Sequence, residues 1–236
     1  MKINELKFEG VTFAHEGNDP VLHNVDFELP THQVVWVKAE EGAGKSSFLQ
    51  VLAGLQMPQS GRYLINGENV CEMSFEEFLP FRLQIGYSFD YGGLINNRSL
   101  LENLTLPLLY HKTLEFNEAR DRAMAVLKMF DIQKFAGERP AHVPGRVRKI
   151  ICLLRPLMMR PQMLLMDDPS VGIGQDSTYV LVDLIHDLRK QGFLSHIFMS
   201  SYDEKFVNLF DHHILHLNEG QLYYQPVENE KKVVHL

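Results

Sequence analysis

Apolar and polar residues alternate at the start of the chain, at Leu6, Phe8, Val11 and Phe13, and again over residues 21–29, where Val25, Phe27 and Leu29 share one side. A two-residue period predicts half-buried strands. The unbroken run Val34-Val35-Trp36-Val37 predicts a strand buried on both faces, and residues 47–53 then take up helical spacing. A turn region covers 54–61, and residues 62–65 ahead of Asn66-Gly67 read as one arm of a hairpin. Over about 100–154 the period lengthens to that of a helix, most clearly over 118–130. Residues 163–166 form another apolar run, ended by two aspartates; 180–190 predict a helix, and 197–199 and 213–217 further strands. From about Val227 the chain is polar and reads as a loose tail over 227–236. Strands alternating with helices give an α/β class, with a mostly helical insertion in the middle.

Composition narrows the partners. With 236 residues, 45% of them hydrophobic, the chain can bury the core of one large domain, expected over residues 1–226. Lys and Arg number 23 against 30 Asp and Glu, a net charge of −7, which argues against a general nucleic-acid or anionic-membrane binder. Cys71 and Cys152 make no metal or redox motif and read as reduced thiols of a cytosolic protein. No apolar run approaches the roughly 18 residues of a membrane span, and the amino terminus has no leader-like apolar core. Direct membrane insertion is not expected; work at a membrane would need a partner.

One segment carries the chemistry. Ala39-Glu-Glu-Gly-Ala-Gly-Lys-Ser46 lies between a buried strand and a helix, the context a phosphate loop requires. Glycines let backbone N–H groups converge on phosphate oxygens, and the helix amino terminus adds a favourable dipole. The expected nucleotide contacts are Glu41, Gly42, Ala43, Gly44, Lys45, Ser46 and Ser47, with Lys45 on the β and γ phosphates and Ser46 on Mg²⁺. Ala39 departs from the pattern, which asks for glycine. About 120 residues on, Asp167 ends an apolar strand and can hold the same Mg²⁺.

With these landmarks in this order, the chain resembles the nucleotide-binding domain of ABC transporters over nearly its whole length. Residues 94–107 look like the stretch after the family's switch glutamine. Ser170-Val-Gly172 is similar to the ATPase subunits of Mla-type lipid-trafficking importers. The resemblance implies an α/β P-loop NTPase core of the ABC type, with an antiparallel β subdomain and a helical subdomain over about 100–155. It also implies ATP and Mg²⁺ as ligands, and His15 where an aromatic ring stacks on adenine. Departures follow at the catalytic positions: Asp90 stands at the switch glutamine, Asp168 at the catalytic glutamate, Ser201 at the γ-phosphate histidine (counted back from Asp211), and Gly174 at the aspartate of the next loop.

The signature segment, Leu-Ser-Gly-Gly-Gln in the family, aligns with Val143-Pro-Gly-Arg-Val147. Pro144 lacks the serine hydroxyl yet suits a helix start, and Pro156 should kink the same helix. Arg146 either marks a scaffold helix whose chemistry is lost or reaches phosphate across a dimer, as an arginine finger does. Hydrolysis needs a positioned water, a base and charge stabilisation, and each of those positions has changed. The expectation is therefore Mg-ATP binding with slow or absent hydrolysis, Asp168 being a degenerate base. The implied protein is a cytoplasmic ATP-binding subunit held at the inner face of the membrane by a separate permease, and a homodimer or heterodimer with another ABC domain. The alternative is a non-transport pseudo-ATPase that binds nucleotide and controls a partner. His212, His213 and His216 read as structural or surface histidines, and Met158, Met159, Met163 and Met166 as core.

Overall fold

The computed structural model describes residues 1–90 and 92–226, so the polar tail read over 227–236 lies outside the described residues. The opening alternation forms β1 (Leu6–Phe13) and β2 (Leu22–Glu28), paired antiparallel through Phe8↔Phe27 and Val11↔Val25. The apolar run forms β3 (Val34–Lys38), which leads through a loop into α1 (Lys45–Leu52). β4 (Ser60–Ile65) pairs with the other edge of β1, and the two-residue β5 (Glu68–Asn69) completes the hairpin across Asn66-Gly67. Together β2-β1-β4-β5 make the expected antiparallel sheet.

After α2 (Phe75–Arg82) and β6 (Ile85–Ser88) come the three helices of the insertion: α3 (Leu100–Tyr110), α4 (Phe116–Met129) and α5 (Gly145–Leu157). The chain closes with β7 (Met163–Asp167), α6 (Gln175–Lys190), β8 (His196–Ser200), the short α7 (Glu204–Val207), β9 (His213–Asn218) and β10 (Gln221–Gln225). The second sheet has the order β10-β9-β3-β8-β7-β6, parallel throughout except for β10 at one edge.

Strand periodicity divides the core in two. Val34 and Trp36 of β3, Leu164 and Met166 of β7 and Ile197 and Met199 of β8 face the helices of the insertion and α6. Val35, Val37, Met163, Leu165 and Phe198 face the opposite way, onto α1 and the antiparallel sheet. Covering both faces of a parallel sheet with apolar side chains explains why these strands read as unbroken runs rather than alternations.

Some elements escape the hydrophobic pattern. α2 is mostly exposed and is specified by a capping box, Ser74 with Glu77, rather than by an apolar stripe. α6 starts at Gln175, earlier than the expected 180, because its first turn is polar and follows Gly174 at φ 77°. Pro156 stands in the last turn of α5, where it costs one hydrogen bond near the helix end instead of interrupting the middle. Met158, Met163 and Met166 are buried in the core. Among the described residues no helix is long and apolar enough to cross a membrane.

Candidate functional site

β3, β8, β7 and β6 are parallel neighbours whose carboxyl ends finish level, with Val37 opposite Ser200, Ser200 opposite Asp167, and Met166 opposite Ser88. The segments leaving those ends, beginning at Ala39, Ser201, Asp168 and Phe89, therefore meet at one edge of the sheet. In open α/β sheets this is where ligands bind.

The loop after β3 is built on glycine. Gly42 has φ 79°, and Gly44, the amino-terminal cap of α1, has φ 92°. A Cβ on Gly44 would also lie 2.5 Å from Val21 Cγ1, so both backbone strain and space demand glycine there. Ser46 is exposed at the first turn of α1, whereas Ser47 is buried and its Oγ lies 2.7 Å from His15 Nε2. The His15 ring is held edge-on by Phe13, with centroids 5.2 Å apart. Glu41 is exposed beside the loop. Lys45 is 7% exposed and folds back: its Nζ donates to Ala39 O at 3.1 Å, Glu40 O at 3.0 Å and Tyr202 Oη at 2.9 Å.

The end of β7 supplies the acids. Asp167 is buried, and its Oδ1 accepts from Ser200 Oγ at 2.6 Å. Asp168 has left the strand with φ 42°; its N–H donates to Ser200 O and Ser200 Oγ, each at 3.2 Å, and its Oδ1 accepts from Tyr202 N–H at 3.3 Å. Burial, then the adjacent Asp167 carboxylate, push the Asp168 carboxyl above the ordinary aspartate range, against a smaller pull from the Tyr202 N–H. The oxygen donors of Ser46 and Asp167 suit a hard cation such as Mg²⁺.

Counting back from Asp211 pointed to Ser201, whose polar atoms are engaged elsewhere. Ser201 is 4% exposed, its Oγ accepts from Asp203 N–H at 3.0 Å and its carbonyl accepts from Trp36 Nε1 at 3.0 Å, so it is committed away from the loop. Tyr202, one residue on, covers Lys45, with the ammonium 4.2 Å from its ring centroid. Asp203, the next residue, caps α7 with its carboxylate.

Asp90 faces the helical insertion. Its carbonyl and its Oδ1 accept from Lys149 Nζ at 2.8 and 2.9 Å, with the lysine side chain only 8% exposed. Further along the same face of α5, Cys152 Sγ donates to Gly92 O at 3.0 Å and Arg155 donates to Gly93 O. Three side chains spaced three residues apart thus grip consecutive stretches of the switch segment. Arg146 is engaged within the chain: Nε donates to Ile173 O at 2.7 Å and Nη2 to Ser177 Oγ at 2.6 Å. A cavity of about 500 Å³ lies beside it, lined by Asp90, Gly93, Arg148 and Val171 among others.

The structure therefore brings together Gly42 to Ser47, Asp167 and Asp168. His15 borders the loop through Ser47, while Asp90 and Arg146 are held by the helical insertion and α6. Sequence reasoning missed Tyr202, the Ser200 bond to Asp167 and the pairing of Lys149 with Asp90.

Known proteins resemble this chain in sequence and in fold. The sequence profile of the family described as "ABC transporter" matches residues 22–171. The lipoprotein-releasing system ATP-binding protein LolD of Coxiella burnetii is 28% identical over 211 residues, covering 89% of this chain and 90% of that protein. The cell division ATP-binding protein FtsE of Haemophilus influenzae is 26% identical over 220 residues, covering 93% and 100%. Among solved structures, a dimeric post-hydrolysis state of the ATP-binding cassette MJ0796 bound to ADP and Pi superposes with a TM-score of 0.83 at 22% identity, covering 95% and 99%.

Proposed function

The chain belongs to the ABC transporter family, and from that membership we propose that it is an ATP-binding subunit that docks on a separate membrane permease, binds Mg-ATP, and hydrolyses it slowly or not at all. The carrying observation is the strand–loop–helix from β3 to α1, with two left-handed glycines, Lys45 at the helix start and Asp167 at the end of β7, one strand beyond β8. The loop N–H groups and Lys45 bind the phosphates, and His15 borders the place of the base. Ser46 and Asp167 would hold Mg²⁺, which when bound neutralises charge on the phosphate oxygens.

Weak hydrolysis follows from what the remaining residues do. Asp90 is shorter than glutamine, carries no N–H donor, and commits one carboxylate oxygen to Lys149, so it is poorly suited to orient an attacking water. Asp168 is one methylene shorter than glutamate and accepts from Tyr202 N–H. A general base and its positioned water contribute roughly 10²–10⁴-fold to such a reaction, so their impairment leaves binding without efficient turnover. Arg146 would have to leave Ile173 and Ser177 before it could touch phosphate on a second ABC domain, whether that domain is a second copy or a different chain.

A groove between α2, β6 and α5, lined by Leu79, Arg82, Phe89, His111, Arg155 and Met159, supports docking of a permease segment. Location at the inner, cytoplasmic face of the membrane would follow from that docking.

Calorimetry with Mg-ATP alongside phosphate release tests the reading. We expect binding by the wild type, none by Lys45→Ala, and little phosphate release, partly restored by Asp168→Glu. Vigorous turnover by the purified chain would refute the weak-hydrolysis part. Co-purification with a multi-span membrane protein is expected from the docking part, and its failure in detergent extracts would count against it.

A further inference from the structure

An ammonium group has three N–H donors, and on Lys45 all three are taken: by Ala39 O, Glu40 O and Tyr202 Oη. Two of those acceptors are carbonyls of the phosphate loop itself. The third belongs to a side chain from another strand end. Tyr202 is 58% exposed, is tethered by its backbone N–H to Asp168, and lays its ring as well as its hydroxyl against the ammonium. Any phosphate oxygen that binds Lys45 must displace one of the three partners. The loop carbonyls are fixed by the backbone, whereas an exposed phenol needs only a side-chain rotation. Tyr202 is therefore the partner that leaves.

We propose that Tyr202 closes this site, its phenol competing with any nucleotide phosphate for Lys45 and so lowering the affinity for ATP and ADP alike. The inference rests on the nucleotide-site reading above. Lysine in such a loop reaches both the β and the γ phosphate, so either nucleotide must displace the phenol. Hydrogen bonds to charged groups and cation–π contacts both favour the closed state, and the exposed position of the phenol keeps the effect at about three- to tenfold in affinity.

The chain carries its own reporter. Trp36 is the only tryptophan, is 6% exposed, and donates from Nε1 to the carbonyl of Ser201, the residue just before Tyr202. Displacing Tyr202 should perturb that hydrogen bond and the indole emission.

The experiment is Mg-ATP and Mg-ADP titration of the full chain by calorimetry and by Trp36 fluorescence, in wild type, Tyr202→Phe and Tyr202→Ala. Tyr202→Phe keeps the ring and loses the oxygen; Tyr202→Ala loses both. Expected is a rise in affinity for both nucleotides, about threefold for the first variant and about tenfold for the second, with a smaller fluorescence change on binding in each. Unchanged affinity for both nucleotides in both variants overturns the inference while leaving the nucleotide site standing. Weaker ATP binding by Tyr202→Phe also overturns it, since the phenol would then be a phosphate ligand. Absence of binding of either nucleotide by all three proteins overturns the nucleotide-site reading, and this inference with it.

Discussion

Acidification should loosen the sheet at the end opposite the phosphate loop, through His196. This residue begins β8, has no exposed surface, and is wired at both ring nitrogens: Nδ1 accepts from His32 N–H at 2.8 Å and Nε2 lies 2.9 Å from Ile3 O. Gln162 completes the cluster, donating to Ile3 O and accepting from Ile3 N–H, each at 2.7 Å. Because a backbone N–H points at Nδ1, only the neutral ring with its proton on Nε2 satisfies both contacts. Burial accordingly pushes the His196 pKa down to about 4 from 6.5, outweighing the opposite pull of the Ile3 carbonyl, with His32 and Arg189 adding like charge nearby. A folded-state value below the unfolded one means that the stabilisation is intact above pH 6.5 and is lost as pH falls towards 4. The full loss is roughly 3 kcal/mol, of which about 2 kcal/mol has gone by about pH 5. Urea unfolding followed by Trp36 fluorescence at about pH 7.5 and 5, in wild type and His196→Gln, measures it. Carboxylates that titrate in both proteins cancel in the difference. The wild-type advantage over the variant should shrink by about 2 kcal/mol at the lower pH; an advantage independent of pH would refute the reasoning.

Other outcomes follow from single contacts. Gly44→Ala should cost about 2 kcal/mol or more and abolish Mg-ATP binding, because its Cβ meets Val21 and its φ is 92°; thermal unfolding and calorimetry check both. Lys149→Met should destabilise by about 1–3 kcal/mol, less than a fully buried pair because Asp90 keeps some exposure; hydrogen exchange should quicken around Gly92 and Gly93. Arg146→Ala should cost about 1 kcal/mol and speed exchange at the first turn of α6, where Ser177 loses its donor; unchanged exchange there would mean that the guanidinium is free in solution.

The strand–loop–helix phosphate site was legible because its requirements are local. Glycines at Gly42 and Gly44 permit the left-handed turns, and Lys45 and Ser46 follow immediately in sequence. β3, β7 and β8 were legible for a related reason, since a strand covered on both faces must be apolar throughout. Exposed elements such as α2 and β10 left no comparable trace, because packing places few demands on their side chains.

What the sequence by itself determined, then, is which residue types stand at the expected catalytic positions: aspartate at Asp90 and Asp168, and no histidine in the stretch 201–203 that follows β8. What only the tertiary structure decided is what those residues are doing. Asp90 is turned towards Lys149, which lies 59 positions away in the chain. Arg146 is spent on Ile173 and Ser177. Tyr202, not Ser201, lies over Lys45, because a one-residue step past a strand end turns a side chain from one face to the other. Local spacing fixes a motif, but the direction of a side chain leaving the end of a strand depends on contacts with segments far away in the chain.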